Sequence, residues 1–232
     1  MKYKMIFWDS DGTLLLGNES FKCSLIKAFG DSGLTLDEDV SRAFFKRTSS
    51  WNFPEVDHSL LNGEGWWQDL LSKVKAFCQE QGVSEDVSCK ICDDFRRNVI
   101  SYDYKVYEDA AEVLDKISSC GVKNYVISNN FPELREVFER LGIDPYIEAY
   151  IISADAGFEK PRPEIFEAAL KIAGIDSSSE EDLSSCLMVG DNPKSDGVGA
   201  EGVGMDCFIV HNDVSGLRCF KSLTELEEVL NC

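Results

Sequence analysis

Basic residues are scarce in this chain. Lysine and arginine together number 23, against 42 aspartates and glutamates, and the formal net charge is −19. A surface this negative repels the phosphates of nucleic acid and of anionic lipid, so both are poor partners. A small phosphorylated molecule remains compatible with this charge, because a cation held in an acidic cleft reverses the local field.

Long apolar runs are lacking as well. No segment approaches the roughly 18 apolar residues of a membrane span, and the N-terminal stretch MKYKMIFWDSDG does not have the pattern of a signal peptide. The nine cysteines are irregularly spaced, and the nearest pair, Cys89 and Cys92, has no second pair to complete a zinc site. Free thiols favour a reducing compartment, so we expect a cytoplasmic protein with no membrane partner.

Short apolar runs alternate with amphipathic helical stretches over most of the chain. The runs are continuous in their apolar character, which is typical of strands covered on both faces. Between these apolar runs, helical patterns occupy residues 108–121, 131–142 and 161–174. This alternation predicts βαβ crossovers and an α/β fold with a doubly wound, Rossmannoid parallel sheet. The predicted strands are 4–8, 122–127, 149–153, 186–190 and 206–210.

The alternation stops after the first predicted strand. Residues 16–100 contain four helical patterns and no convincing strand. We therefore predict an α/β core domain of residues 1–15 and 101–232, with an inserted, all-helical cap domain of residues 16–100. Within the core, the acidic stretch 177–182 is predicted to be a solvated loop.

Polar side chains follow four of the predicted strands. Because the carboxyl ends of parallel strands meet at one edge of a sheet, we expect these side chains to lie together. Clustered aspartates are tolerable there if Mg²⁺ sits among them, since this ion prefers oxygen ligands. One aspartate can then attack phosphorus while a lysine and a hydroxyl offset the charge. The residues in chain order are Asp9, Asp11, Ser128, Asn129, Asn130, Glu159, Lys160, Asp191 and Asp196.

Four motifs at these strand ends resemble those of the haloacid dehalogenase (HAD) superfamily in both sequence and order. They are DSDGT at 9–13, ISNN at 127–130, EKPRP at 159–163 and VGDNPKSD at 189–196. The helical insertion resembles the C1-type cap of the subgroup that contains phosphoglycolate phosphatase and β-phosphoglucomutase. One departure is Trp8, because smaller residues commonly precede the first motif.

The resemblance implies a role for each matching residue. Asp9 is the nucleophile that forms an aspartyl phosphate, and Asp11 is the general acid and base. Ser128 and the Asn129 backbone bind the phosphoryl oxygens, and Lys160 offsets the charge on Asp9 and the phosphoryl group. The implied ligands of Mg²⁺ are Asp9, the backbone carbonyl of Asp11, and Asp191. The implied supporting residues around Lys160 and the metal are Asp196 and Asn192.

Asp11 favours phosphate-ester hydrolysis over carbon–halogen cleavage. An alkoxide leaves readily only when an acid protonates it, whereas halide needs no proton, and the family's dehalogenases lack this aspartate. We expect a Mg²⁺-dependent phosphatase that acts on a small phosphorylated metabolite. A sugar phosphomutase and a non-enzymatic phosphate-binding or regulatory protein remain as alternatives, and the substrate and the oligomeric state are not predicted.

Other features have simpler structural explanations. Trp66 and Trp67 are expected in the core of the cap, and Arg47 is expected to be an exposed residue at a helix end. The stretch 197–202 fits the spacing GxGxxG but does not directly follow a strand, so NAD binding is not expected. Asp196 has a further possible role as the N-cap of a helix that begins near Gly197.

Overall fold

A single parallel sheet organises the protein, in a computed structural model that describes residues 2–17 and 19–230. The strand order is β3-β2-β1-β4-β5-β6, and all five neighbouring pairs are parallel. The α/β doubly wound prediction is therefore confirmed. The strands are β1 Met5–Trp8, β2 Lys123–Ser128, β3 Ile147–Ile152, β4 Cys186–Gly190, β5 Asp206–Val210 and β6 Arg218–Phe220.

The central strand β1 is covered on both faces. Ile6 and Trp8 belong to one apolar cluster, whereas Phe7 belongs to a second cluster on the opposite face. Successive side chains of a strand point to opposite faces, so a strand buried on both sides must be apolar throughout. Trp8 fits its buried position because its indole N–H donates to Asn124 Oδ1 at 2.9 Å.

Helices surround the sheet and fill the insertion after β1. Their ends carry the expected signals, such as Asp37, whose carboxylate accepts from the backbone N–H groups of Asp39 and Val40 at the start of α2. The helices are α1 Ser20–Asp31, α2 Glu38–Thr48, α3 Glu64–Glu80, α4 Glu85–Ile100, α5 Ala110–Ser119, α6 Leu134–Leu141, α7 Ser153–Ala156, α8 Pro163–Ala173, α9 Glu180–Leu183, α10 Gly199–Gly202 and α11 Leu223–Leu230.

The insertion contains α1 to α4 and a short 3₁₀ turn at Ser50–Asn52. Trp66 and Trp67 are buried there, as expected, in an apolar cluster that continues onto one face of the sheet. The division of the chain into two domains remains a prediction. Among the described residues, no helix combines the length and apolar character needed to cross a bilayer.

Two parts of the core differ from the sequence-based expectation. Strand β6 was not predicted, because its three residues are too few to form an apolar run. The prediction of a loop over 177–182 was wrong in its second half, where α9 forms a single helical turn. Ser179 caps that turn by accepting the backbone N–H of Asp182 at 3.2 Å, and acidic residues in a first turn favour helix formation.

Candidate active site

A cavity of about 670 Å³ opens at the carboxyl end of the sheet. Residues from all four motifs line it, together with four side chains of the helical insertion. The core contributes Asp9, Asp11, Ser128, Asn129, Asn130, Lys160, Pro161, Asp191, Asn192, Lys194 and Ser195, and the insertion contributes Phe21, Trp51, Asn52 and Pro54. The structure therefore brings together the predicted strand-end residues except Glu159, with the buried Asp196 directly behind the cavity wall. Glu159 does not line the cavity, because its buried carboxylate accepts the hydroxyl of Ser50 instead.

Lys160 lies at the base of this cavity between two carboxylates. Its Nζ is 2.8 Å from Asp9 Oδ1 and 2.7 Å from Asp196 Oδ1, and its side chain is only 1% exposed. Burial lowers the pKa of Lys160, but the charges of Asp196 and Asp9 outweigh that effect and hold the pKa above its usual value. A protonated lysine is therefore directed at Asp9.

Asp196 fixes the position of Lys160. Burial raises the pKa of the Asp196 carboxyl, and the neighbouring Lys160 ammonium opposes that rise. The second carboxylate oxygen accepts the backbone N–H of Asn192 at 3.0 Å. The alternative role of Asp196 as a helix N-cap is wrong, because Asn192 caps the π-helical turn Pro193–Val198 through its side-chain oxygen.

Two glycines allow the aspartates to pack against the backbone. A Cβ atom on Gly190 would lie 2.1 Å from Asp196 Oδ2, well inside contact distance. A Cβ atom on Gly12 would lie 2.5 Å from Asp191 Oδ2, and Gly12 also has φ +81°, which side chains disfavour. These close approaches explain a glycine after Asp11 and another before Asp191.

Asn130 and Ser10 belong to the site although the sequence did not identify a role for them. Asn130 Nδ2 donates to Asp11 Oδ2 at 2.9 Å and to Ser10 Oγ at 3.3 Å, and the hydroxyls of Ser10 and Ser128 are 2.6 Å apart. Asn130 thus orients the predicted acid and base. The sequence placed it after a strand, but only the fold shows where its amide points.

Asn129 joins two strand ends through its side chain. Its Nδ2 donates to the Lys160 carbonyl at 3.0 Å, and its Oδ1 accepts the Lys160 backbone N–H at 2.7 Å. These paired bonds hold the backbone of Lys160 beside β2. The predicted contact of the Asn129 backbone with phosphate remains a prediction.

Three carboxylates are close enough to share one cation. Asp9, Asp191 and Asp196 each place an oxygen within 4.8 Å of the others. Burial, together with the charge of Asp9, raises the pKa of Asp191 to about 6, although the charge of Lys160 opposes the rise. Asp196 already accepts bonds from Lys160 and Asn192. The oxygen donors of Asp9 and Asp191 therefore fit the ligand preference of Mg²⁺.

Arg47, outside the motifs, is exposed in the last turn of α2 and pairs with Glu80 at 3.1 Å. Trp51 and Asn52, a few positions further along, line the cavity. A short 3₁₀ turn places them there, and the sequence carries no signal for that placement beyond an aromatic residue in a polar segment.

The eight cysteines among the described residues are all free.

The similarity of this chain to known proteins identifies its family. A model described as haloacid dehalogenase-like hydrolase matches residues 3–204. The chain belongs to this family of hydrolases. The haloacid dehalogenase-like hydrolase domain-containing protein 3 of Bos taurus is 25% identical over 217 residues, covering 90% of this chain and 82% of that protein. The family predicted from the four motifs is thereby confirmed.

Two further HAD relatives extend the comparison. Pyrimidine 5′-nucleotidase YjjG of Escherichia coli is 34% identical over 113 residues, which cover 45% of this chain and 48% of that protein. The crystal structure of the HAD-hydrolase YfnB of Bacillus subtilis, bound to magnesium, superposes with a TM-score of 0.72 at 18% identity, with full coverage of both chains. The second likeness shows that the fold, including the helical insertion, is common to both.

Proposed function

We propose that this HAD hydrolase is a Mg²⁺-dependent phosphatase that cleaves a small-molecule phosphate monoester through an aspartyl phosphate on Asp9. The observation that carries the proposal is the contact between buried Lys160 and Asp9, beside an Asp11 oriented by Asn130. This arrangement pairs a carboxylate nucleophile with a fixed cation and a second carboxyl group. The nucleotidase activity named for YjjG is consistent with it.

The hydrogen bonds of Asp9 distinguish its two oxygens. Oδ1 accepts the Ser10 backbone N–H at 2.7 Å and the Lys160 ammonium at 2.8 Å. Oδ2 is therefore the oxygen that attacks phosphorus. As the Asp9 oxygen–phosphorus bond forms, the bond from phosphorus to the ester oxygen breaks, and Asp11 gives its proton to the departing alkoxide.

The second step reverses the role of Asp11. Its carboxylate takes a proton from water, whose oxygen attacks phosphorus and displaces Asp9 with release of inorganic phosphate. Ser128 and the Asn129 backbone bind the phosphoryl oxygens, and Lys160 offsets their charge in both steps. Asp9, Asp191 and the Asp11 carbonyl would hold Mg²⁺, which would supply further positive charge next to the phosphoryl group.

Asp9→Asn tests this mechanism. The amide cannot form the aspartyl phosphate, so we expect a loss of turnover of about a thousandfold or more. Release of nitrophenol from 4-nitrophenyl phosphate is measured with Mg²⁺ and with EDTA, and circular dichroism checks the fold. Asp103→Asn, which changes an aspartate whose side chain is 84% exposed, is the matched control.

The wild-type and control proteins should lose activity in EDTA and regain it with Mg²⁺. A near-normal rate in Asp9→Asn would contradict the proposed nucleophile. Free phosphate should also accumulate from sugar phosphates that are turned over, whereas a phosphomutase returns the phosphoryl group to the sugar and releases little.

A further inference from the structure

The side chains that the insertion contributes to the cavity lining are uncharged. They are those of Phe21, Trp51, Asn52 and Pro54. The rings of Phe21 and Trp51 are 5.0 Å apart between centroids and tilted by 57°. The cap side therefore offers aromatic surface to whatever group the phosphate ester carries.

Phe21 is held firmly in its position. Besides Trp51, four aromatic rings surround it with centroids 5.9 to 6.3 Å away. A ring fixed by packing loses little conformational entropy when a ligand stacks on it, so the wall is preorganised for a flat group. The four surrounding rings are those of Phe45, Trp66, Phe95 and Phe131.

Asn52 adds a polar edge beside these rings. Its Nδ2 donates to the Phe45 carbonyl at 3.3 Å, while within the described part of the chain its Oδ1 accepts no hydrogen bond. The side chain is exposed at the cavity, so the amide can pair with a polar edge of a ring that stacks on Trp51.

In the described lining of the cavity, positive charge comes from the core side. Among the described residues that line it, the basic ones are Lys160, which is committed to Asp9 and Asp196, and the exposed Lys194. No cap residue in that lining could neutralise a second anionic group on the substrate. A leaving group with a carboxylate or a second phosphate would therefore meet an uncharged wall.

The space beyond the aromatic wall accommodates a bulky leaving group. A second cavity of about 440 Å³ shares Phe21, Trp51 and Asn52 with the first. Of its basic lining residues, Lys22 and Arg42 both contact Glu38 at 2.7 Å, whereas Lys46 forms no ion pair with another described residue. The aromatic surface therefore borders a space that is large enough for an extended group.

We propose that Phe21, Trp51 and Asn52 form a subsite for a flat aromatic or heteroaromatic ring on the alcohol portion of the substrate. The proposal rests on the phosphatase function proposed above and names its substrate class: phosphate monoesters of neutral alcohols that carry such a ring. Stacking of one ring on an aromatic side chain changes affinity by about 10-fold or more.

The test compares esters within one protein preparation. The ratio of kcat/KM for uridine 5′-monophosphate to kcat/KM for glycerol 3-phosphate is independent of the active fraction, and both esters release an alkoxide. Phosphoglycolate is measured beside them as an ester with a second anionic group. We expect this ratio to exceed about 10 in the wild type, to approach 1 in Trp51→Ala, and to recover in Trp51→Phe. Leu60→Ala, at a side chain that is 94% exposed in the same segment, is the control.

A ratio near 1 in the wild type, or one unchanged in Trp51→Ala, would overturn the subsite. Preference for phosphoglycolate that disappears in Lys194→Ala would also overturn it, by showing that charge selects the substrate.

Calorimetric titration of the wild type with uridine 5′-monophosphate and with glycerol 3-phosphate separates the two proposals. If uridine 5′-monophosphate binds more tightly than glycerol 3-phosphate, and Trp51→Ala abolishes the difference, the subsite is supported even when neither ester is hydrolysed. Absence of hydrolysis would then contradict only the phosphatase function.

Discussion

The site depends at the residue scale on a lysine enclosed by carboxylates. Removing Lys160 from water is unfavourable, and its ion pairs with Asp9 and Asp196 offset that cost. Asp196 keeps this geometry only because Gly190 has no side chain. The glycine is thus as important to the position of Lys160 as the aspartate itself.

Gly190→Ala tests this dependence. The added methyl group would displace the Asp196 carboxylate, so we expect the free energy of unfolding to fall by about 2–4 kcal/mol, as for other disrupted buried ion pairs. Urea unfolding measures the change. Gly202→Ala is the control, because a Cβ there meets no atom within 4 Å. Equal stability of the two variants would show that the close contact does not matter.

Much of the site at this scale could be predicted from the sequence. Asp9, Asp11 and Asp191 follow strands closely, Ser128 ends β2, and Lys160 lies between β3 and α8. Parallel strands bring such residues to one edge of the sheet. The orientation of Asn130 and the depth of Asp196 could not be predicted. Both features depend on hydrogen bonds between residues that are 36 to 120 positions apart in the chain. The pattern of neighbouring residues in the sequence does not encode such contacts.

At the scale of elements, hydrogen bonds join the insertion to segments of the core that follow the strands. Trp67 Nε1 in α3 donates to Glu133 Oε2 at 2.8 Å, and Arg96 in α4 pairs with Glu133 at 3.0 Å. Ser50 in the 3₁₀ turn donates to Glu159 Oε1 at 2.5 Å, directly before Lys160 in the chain. The helices could be predicted from their periodicity, but these contacts could not, because the partners are distant in sequence.

Glu159 makes the stability of this junction dependent on pH. It is 2% exposed, and burial raises its pKa above the ordinary 4.5, although Ser50, Ser153 and Lys160 oppose the rise. A raised folded-state pKa favours the folded protein while the group is protonated. This contribution is fully present below about pH 4.5 and is lost as pH rises through the folded-state pKa.

We therefore expect the stability of the wild type relative to Glu159→Gln to fall as pH increases above 4.5. Urea unfolding of both proteins from acidic to neutral pH gives this difference, in which the titration of shared groups largely cancels. A difference that stays constant with pH, or grows, would show that burial does not control the ionisation of Glu159.

At the scale of the whole molecule, a net charge of −19 surrounds the proposed site for an anionic substrate. In the proposed mechanism the positive charge needed there is local, from Lys160 and from a cation held by Asp9 and Asp191. Bulk salt also stabilises so acidic a protein by screening its self-repulsion. A specific effect of magnesium must therefore be separated from ionic strength.

Magnesium should raise the melting temperature beyond what sodium chloride achieves at equal ionic strength. A ligand that binds only the folded state at 100 times its dissociation constant stabilises it by about 2.7 kcal/mol. Asp191→Asn should lose most of this excess, because it removes one of two available carboxylates. Equal shifts for the two salts would show that the acidic cluster holds no specific magnesium.

Covalent phosphorylation of Asp9 is the step on which the proposed mechanism depends. Asp11→Asn should slow hydrolysis of the intermediate, since the amide cannot activate water. Rapid acid quenching of this variant during turnover of 4-nitrophenyl phosphate, followed by peptide mass spectrometry, should find phosphate on the peptide that contains Asp9. Phosphate on another residue, or continued turnover with Asp9 unmodified at every quench time, would contradict the mechanism.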